Sequence, residues 1–139
     1  MSRWLFKSEP DCYSFADLER DGATLWDGVT NALARKHLRE VRPGDRIWCY
    51  HTGDEKAIVG LMEAVGEPHS DPKDHDPKSV VVEVKPVRKL KHPVTLARIK
   101  AEPGLAKWDL VRNSRLSVVP VSPEQWRQVE QLVKAAGTP

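Results

Sequence analysis

The chain has 139 residues and a mass of 15.7 kDa, a length that predicts one domain spanning 1–139. Its 22 Lys and Arg against 20 Asp and Glu give a formal charge of +2, which excludes nucleic-acid binding by bulk positive charge alone. The mean hydropathy is -0.53, and neither a signal peptide nor a membrane span is evident. We therefore expect a soluble monomer of the cytosol, or of the nucleus in a eukaryote, with no membrane partner.

The hydrophobic pattern predicts short strands with helices near both ends of the chain. A helix N-cap is expected at Ser14, with Asp17 in the capping-box position. Pro86 within a Val-rich run indicates a bulge or a sheet edge. Residues 67–78 carry three prolines and three aspartates and are expected to form a loop. We expect strands over 4–8, 47–51, 57–65, 80–90 and 116–121, and helices over 15–21, 31–41, 94–100 and from 122 onward.

Hairpin-linked strands with one early pair of helices predict an α+β domain. The sheet is expected to be a small curved sheet or barrel, antiparallel or mixed, with the helices at its periphery. The glycines are isolated, so the sequence contains neither a phosphate-binding loop nor a dinucleotide fingerprint. The two cysteines, Cys12 and Cys49, lack metal-ligand spacing, and we expect reduced thiols in or near the core. No metal and no cofactor are predicted.

The first cluster with chemical potential is Lys7, Ser8 and Glu9. A strand that ends in a lysine, a hydroxyl and a carboxylate places a donor, a two-way hydrogen-bonding group and an acceptor together. These groups could read the edge of a nucleobase. The simpler interpretation is that Ser8 and Glu9 cap the turn that follows the strand.

The second cluster lies before the second predicted helix. Trp26 precedes Gly28, which allows close backbone approach, and a Trp at this position can stack on a base. Asn31 suits bidentate base recognition, and Trp48 and Tyr50 add flat rings on a later strand. The alternative is a core Trp beneath a helix that Asn31 caps.

The third cluster consists of cations. Arg35, Arg39 and Arg42 recur at helical spacing, with Lys36 beside them. The alternative interpretation of this pattern is an ordinary solvated helix face. A second basic concentration contains Lys85, Arg88, Lys89, Lys91 and His92. Such clustering on a nearly neutral protein favours a local contact with a polyanion.

Catalytic signatures are few. The five histidines do not form an H-E-x-x-H site, and the sequence contains no G-x-S-x-G motif. We therefore expect a binding protein rather than an enzyme.

Five motifs occur together in order along nearly the whole chain. They are W-L-F-K-S-E-P at 4–10, L-W-D-G-V-T-N-A at 25–32, G-D-R-I-W-C-Y-H at 44–51, I-V-G at 58–60 and S-R-L-S-V-V-P-V at 114–121. On these motifs the chain resembles an EVE domain of the PUA-like superfamily. The resemblance implies a pseudo-barrel with peripheral helices and a pocket for a base flipped out of nucleic acid, with modified cytosines as the substrate class.

The matching positions define the expected site. The base pocket would be formed by Ser8, Trp26, Val29, Asn31, Tyr50, Leu116 and Ser117. A supporting rim would contain Lys7, Glu9, Gly28, Thr30 and His51. Phosphates would be held by Arg35, Lys36, Arg39 and Arg115. Two departures from the family pattern bear on this site: Thr30 replaces a common arginine, and the segment 52–56 is shorter and more charged than usual.

These residues lead to a first hypothesis and two alternatives. The first is a non-catalytic reader of a modified base in DNA or RNA, with Trp26 as the stacking platform. The second is a small nuclease or amidohydrolase similar to the ASCH branch of the superfamily, which would use Lys7, Glu9 and Tyr50. The third is a scaffold whose exposed Trp residues bind protein.

Overall fold

The computed structural model describes residues 2–136. Six strands form one mixed sheet in the order β2-β5-β4-β3-β1-β6, which curls into a half-barrel. The predicted α+β class is confirmed. The strands are β1 (Arg3–Ser8), β2 (Thr24–Trp26), β3 (Arg46–His51), β4 (Ala57–Ala64), β5 (Val82–Thr95) and β6 (Val118–Val121). The helices are α1 (Phe15–Asp21), α2 (Ala32–Glu40), α3 (Leu96–Lys100), α4 (Asp109–Arg112) and α5 (Pro123–Ala136), with a 3-10 turn at Pro103–Leu105.

β1 lies inside the sheet, parallel to β3 on one side and antiparallel to β6 on the other. Trp4, Leu5 and Phe6 are all buried, and because consecutive strand residues point to opposite faces, both faces of β1 are covered. The parallel register places Lys7 beside Tyr50 and Ser8 beside His51. The ends of β1 and β3 therefore bring their polar residues to the same edge.

Local sequence signals account for the helix starts. Ser14 and Asp17 form the predicted capping box, and Asn31 and Thr95 cap α2 and α3. Ser122 and Gln125 bond reciprocally at the start of α5. Each of these helices begins at the residue directly after its capping residue.

Leu33 of α2 is 42% exposed, because the helix is rotated so that Ala34 and Leu38 face the core. On β5, one predicted boundary needs correction and one predicted irregularity is confirmed. β5 starts two residues later than predicted and extends to Thr95. The bulge expected near Pro86 is present, since Leu61 pairs with Arg88 whereas Met62 pairs with Pro86.

The tryptophans are mainly structural. Trp48, proposed above as an additional flat ring for a base, is 1% exposed and stacks on Trp126 at 4.6 Å between ring centroids. Trp4 and Trp108 are also buried. Within residues 2–136, no helix is long and apolar enough to cross a membrane.

Gly60 packs directly against the Phe15 ring of α1. A Cβ atom added at Gly60 would lie 2.6–2.7 Å from three carbons of that ring, which is itself buried. We expect Gly60→Ala to lower the free energy of unfolding by about 1–3 kcal/mol through overpacking, measured by chemical denaturation. Gly66→Ala is the matched control, because its nearest neighbour would be the Glu83 side chain at 3.8 Å. Equal stability of the two variants would contradict this packing.

Candidate nucleobase cleft

A cleft of about 530 Å³ opens between the end of β1, the turn that follows it, and β2. This volume lies within the range of small-ligand sites. The cleft brings together five of the predicted residues: Lys7, Ser8, Glu9, Trp26 and Gly28. Five further residues that were not predicted for the site also line the cleft: Cys12, Tyr13, Thr24, Leu25 and Asp27.

Trp26 forms the aromatic wall of the cleft. Its side chain is 7% exposed and packs against Phe6, with ring centroids 5.5 Å apart and planes tilted by 45°. β2 holds it in place by pairing Trp26 with Val82. Trp26 belongs to the buried core and lies at the cleft, so the alternative of a core Trp is confirmed, and stacking on a base stays a prediction. Gly28, two residues later, has a φ of 73°, a left-handed conformation that favours glycine.

Lys7 supplies the positive charge of the cleft. Its Nζ donates to the Ser114 carbonyl at 3.0 Å and lies 5.9 Å from the centroid of the Tyr50 ring. Partial burial lowers the pKa of the Lys7 amine from its usual value. An ammonium group carries three donors, and the Ser114 carbonyl uses one of them.

The turn after β1 is held by its own hydrogen bonds. The Ser8 hydroxyl donates to the Tyr13 carbonyl, and the Glu9 carbonyl accepts from the N–H groups of Cys12 and Tyr13. The predicted role of Ser8 and Glu9 in stabilising this turn is therefore observed. The Ser8 oxygen keeps lone pairs for a ligand, and the Glu9 side chain is exposed.

Tyr13 ties the same turn to α1. Its hydroxyl donates to Asp21 Oδ2 at 2.8 Å. Desolvation and the neighbouring Asp21 carboxylate raise the pKa of Tyr13. The turn that forms one side of the cleft is thus fixed at both ends.

His51 lies behind the cleft, where it fixes the start of α1. It is 7% exposed, and its Nε2 accepts from the Phe15 N–H at 3.0 Å. Because Nε2 acts as the acceptor, the ring carries its proton on Nδ1, which donates to Glu55 at 2.7 Å. His51 therefore supports the turn from the core side.

The segment before α2 is used mainly to build the helix. Asn31 is exposed, and its side-chain oxygen accepts from the Ala34 N–H at 3.0 Å. The cap interpretation of Asn31 is confirmed. Val29 is buried and its carbonyl accepts from Arg35 Nε at 2.7 Å, whereas Thr30 is exposed.

The remaining predicted pocket residues lie on the far side of Lys7. Tyr50 is 4% exposed and burial raises its pKa. Leu116 is buried, and the Ser117 carbonyl accepts from the Lys7 N–H at 2.9 Å. These residues form the layer that supports Lys7.

The arginines of α2, and Arg42 directly after it, are engaged by the loop of residues 67–78. Arg35 bonds Asp76 at 3.0 Å, and Arg39 donates to the Lys78 carbonyl at 2.7 Å. Arg42 lies 3.9 Å from Glu67. Of the other predicted phosphate ligands, Lys36 and Arg115 are exposed.

The two cysteines differ in accessibility. Cys12 is exposed at the cleft, which corrects the expectation of a thiol in or near the core, because it lies in the turn rather than in a strand. Cys49 is buried, and burial, with a smaller contribution from Glu55, raises its pKa to about 12. Folded Cys49 therefore keeps its proton above pH 9, where an unfolded thiol begins to lose it. Through this group, stability falls as the pH rises above 9.

Comparison with known proteins identifies the family. The EVE domain model matches residues 2–132. The chain belongs to the EVE domain family. Human thymocyte nuclear protein 1 is 34% identical over 159 residues, an alignment that covers 90% of this chain and 71% of the human protein.

Solved structures of EVE domain proteins superimpose closely on this chain. A Rhodopseudomonas palustris protein solved by NMR is 42% identical with a TM-score of 0.88, and the match covers 99% of this chain and 94% of that one. The human THYN1 protein in complex with 5-methylcytosine containing DNA is 30% identical with a TM-score of 0.89, covering 96% and 98%. An ASCH protein from Zymomonas mobilis, 11% identical with a TM-score of 0.58, shares the fold.

Proposed function

We propose that this EVE domain binds nucleic acid and takes a modified cytosine, flipped out of its strand, into the cleft beside Trp26. One observation carries the proposal: the cleft combines an anchored aromatic wall with donor and acceptor groups. The complex of the human relative with DNA containing 5-methylcytosine supports the choice of base. DNA is accordingly the first partner to test, and RNA with the same modification is the second.

The polar groups of the cleft suit the edge of a cytosine. Cytosine presents its N4 amino group as a donor, for which carboxylates are good acceptors. Glu9 and Asp27 supply exposed carboxylates, and Ser8 supplies a further acceptor. Lys7 has donors for the acceptor atoms of the base.

Stacking on Trp26 offsets the cost of removing the base from the helix. Base extrusion costs a few kcal/mol, and stacking on an aromatic side chain contributes roughly 1–3 kcal/mol. Phe6 behind the indole limits its movement, so little side-chain entropy is lost on binding. Phosphate contacts supply the remainder of the affinity.

Hydrolysis of the nucleic acid or of an amide is the second candidate, favoured by the lowered pKa of Lys7. Its proposed partners are divided between two layers, since Glu9 lines the cleft and Tyr50 is buried behind Lys7. We therefore propose a non-catalytic reader. Turnover of RNA or of an amide nucleoside that is lost in Lys7→Ala would favour the hydrolase instead.

The native thiol of Cys12 provides a direct test of the site. We expect N-ethylmaleimide to add once to the folded protein, at Cys12, because Cys49 is buried and stays protonated. Saturation with a duplex carrying one 5-methylcytosine should slow this addition at least about fivefold, measured by mass spectrometry. The same concentration of unmodified duplex should protect less.

Two controls accompany the labelling. Cys12→Ser should acquire no adduct while folded and one adduct, at Cys49, in denaturant. Equal labelling rates with and without a saturating amount of modified duplex would contradict the placement of the base in this cleft.

A further inference from the structure

A run of cations on β5 has no role in the cleft. Lys85, Arg88, Lys89 and Lys91 are all exposed within seven residues of one strand. Lys85 bonds Glu63 at 3.5 Å. Within residues 2–136, the other three have no carboxylate within salt-bridge distance.

These free cations contrast with those in α2 and directly after it. Arg35 and Arg42 are paired with acidic residues of the loop, and Arg39 donates to a loop carbonyl. A phosphate that approached α2 would have to displace those contacts. On β5, phosphates would meet hydrated cations without a competing protein partner.

The backbone of β5 is irregular where the cations lie. Gly60 pairs with Lys89 and Ile58 pairs with Val94, so β5 advances five residues while β4 advances two. Such a bulge bends the strand and redirects its side chains. Beyond Val84, β4 is the only strand paired with β5 among the residues that the structure describes.

The same strand begins at the cleft. Thr24 of the cleft wall pairs with Val84, and Lys85 follows directly. At about 3.3 Å per residue, Lys89 and Lys91 lie at most roughly 17–23 Å along the strand from Val84. That distance corresponds to about five to seven nucleotides of one DNA strand at 3.4 Å each.

We propose that Arg88, Lys89 and Lys91, here called the β5 ridge, bind the phosphate backbone of the nucleic acid several nucleotides from the base held in the cleft. This inference rests on the proposed function and adds the surface that carries its electrostatic part. The ridge fixes position on the strand, and the cleft reads the base. The other role for lysines on an open strand is to prevent pairing between sheets.

The test compares two triple variants. Arg88→Gln/Lys89→Gln/Lys91→Gln removes the ridge. Lys73→Gln/Lys107→Gln/Arg127→Gln removes the same charge from three scattered, exposed positions. Fluorescence anisotropy measures binding of each to modified and unmodified duplexes from 50 to 300 mM salt.

For the ridge variant we expect affinity at 50 mM salt to fall at least about tenfold for both duplexes, with their ratio unchanged. The slope of log K against log salt should decrease by about 2–3, since each phosphate contact contributes roughly 0.9. The control should keep at least most of the wild-type slope.

Other outcomes overturn the inference in distinct ways. An unchanged slope, with or without aggregation of the ridge variant, would assign these cations to edge protection. Equal losses in the ridge and control variants would indicate bulk charge. Wild-type protein that binds neither DNA nor RNA would overturn the proposed function itself.

Discussion

Replacing Trp26 with leucine is expected to lower the affinity for a duplex carrying 5-methylcytosine by about 5- to 150-fold, which corresponds to the loss of roughly 1–3 kcal/mol of stacking. Leucine fills part of the space against Phe6 but has no flat face for a base. The affinity for unmodified duplex should change much less, because that binding depends on phosphate contacts. Fluorescence anisotropy at fixed salt measures both constants.

The control must separate stacking from stability, since Trp26 is also part of the core. Trp126→Leu is a suitable match: Trp126 is 5% exposed and stacks on Trp48 rather than lining the cleft. It should lose stability but keep the preference for the modified duplex. Trp26→Phe should keep most of that preference. Full discrimination by Trp26→Leu would show that Trp26 does not contact the base.

Replacing Asp45 with alanine is expected to lower the free energy of unfolding by about 2–5 kcal/mol. Asp45 is 2% exposed, and its Oδ2 accepts from the Trp4 indole N–H and from the Arg42 N–H, both at 3.0 Å. Alanine would leave the Trp4 donor buried without a partner. Chemical denaturation would measure the loss, and a thermal scan should show a fall in Tm of roughly 10 °C.

Asp45→Asn is the matched variant for this prediction. Its amide oxygen can still accept from both donors, so its loss of stability should be clearly smaller than that of Asp45→Ala. Wild-type stability in Asp45→Ala would mean that the carboxylate does not hold β1 to the start of β3.

Local signals predicted the helices well. Ser14 and Asn31 cap helices at the expected positions, because a cap depends on residues three or four positions apart. β2 was missed for the opposite reason. It has three residues, and its pairing with β5 joins segments almost sixty residues apart, which local periodicity cannot reveal.

The sequence indicated two parts of the candidate cleft but not how they lie relative to each other. The residues at the end of β1 and around Trp26 were both identified as chemical clusters, and the cleft joins them. Cys12 and Tyr13 were missed because they come from the turn that folds back between these clusters. Both residues follow Glu9 within four positions, and this closeness to the first cluster was the available signal for them.

The charges were the least predictable feature. The spacing of Arg35 and Arg39 indicated an exposed basic face, but the loop that engages them follows about forty residues later. Such pairing depends on tertiary structure and leaves no local pattern. In the sequence, the cations of β5 look like those around Arg35 and Arg39. In the structure, however, Arg88, Lys89 and Lys91 have no acidic partner within residues 2–136.

The central claim is that this EVE domain distinguishes a modified cytosine from cytosine. The most direct measurement is the ratio of the Kd values of the wild-type protein for two duplexes that differ only in one 5-methyl group, determined by anisotropy at one salt concentration. We expect the methylated duplex to bind more tightly, by at least about fivefold. Equal Kd values for cytosine and for every modified cytosine tested, in DNA and in RNA, would contradict it.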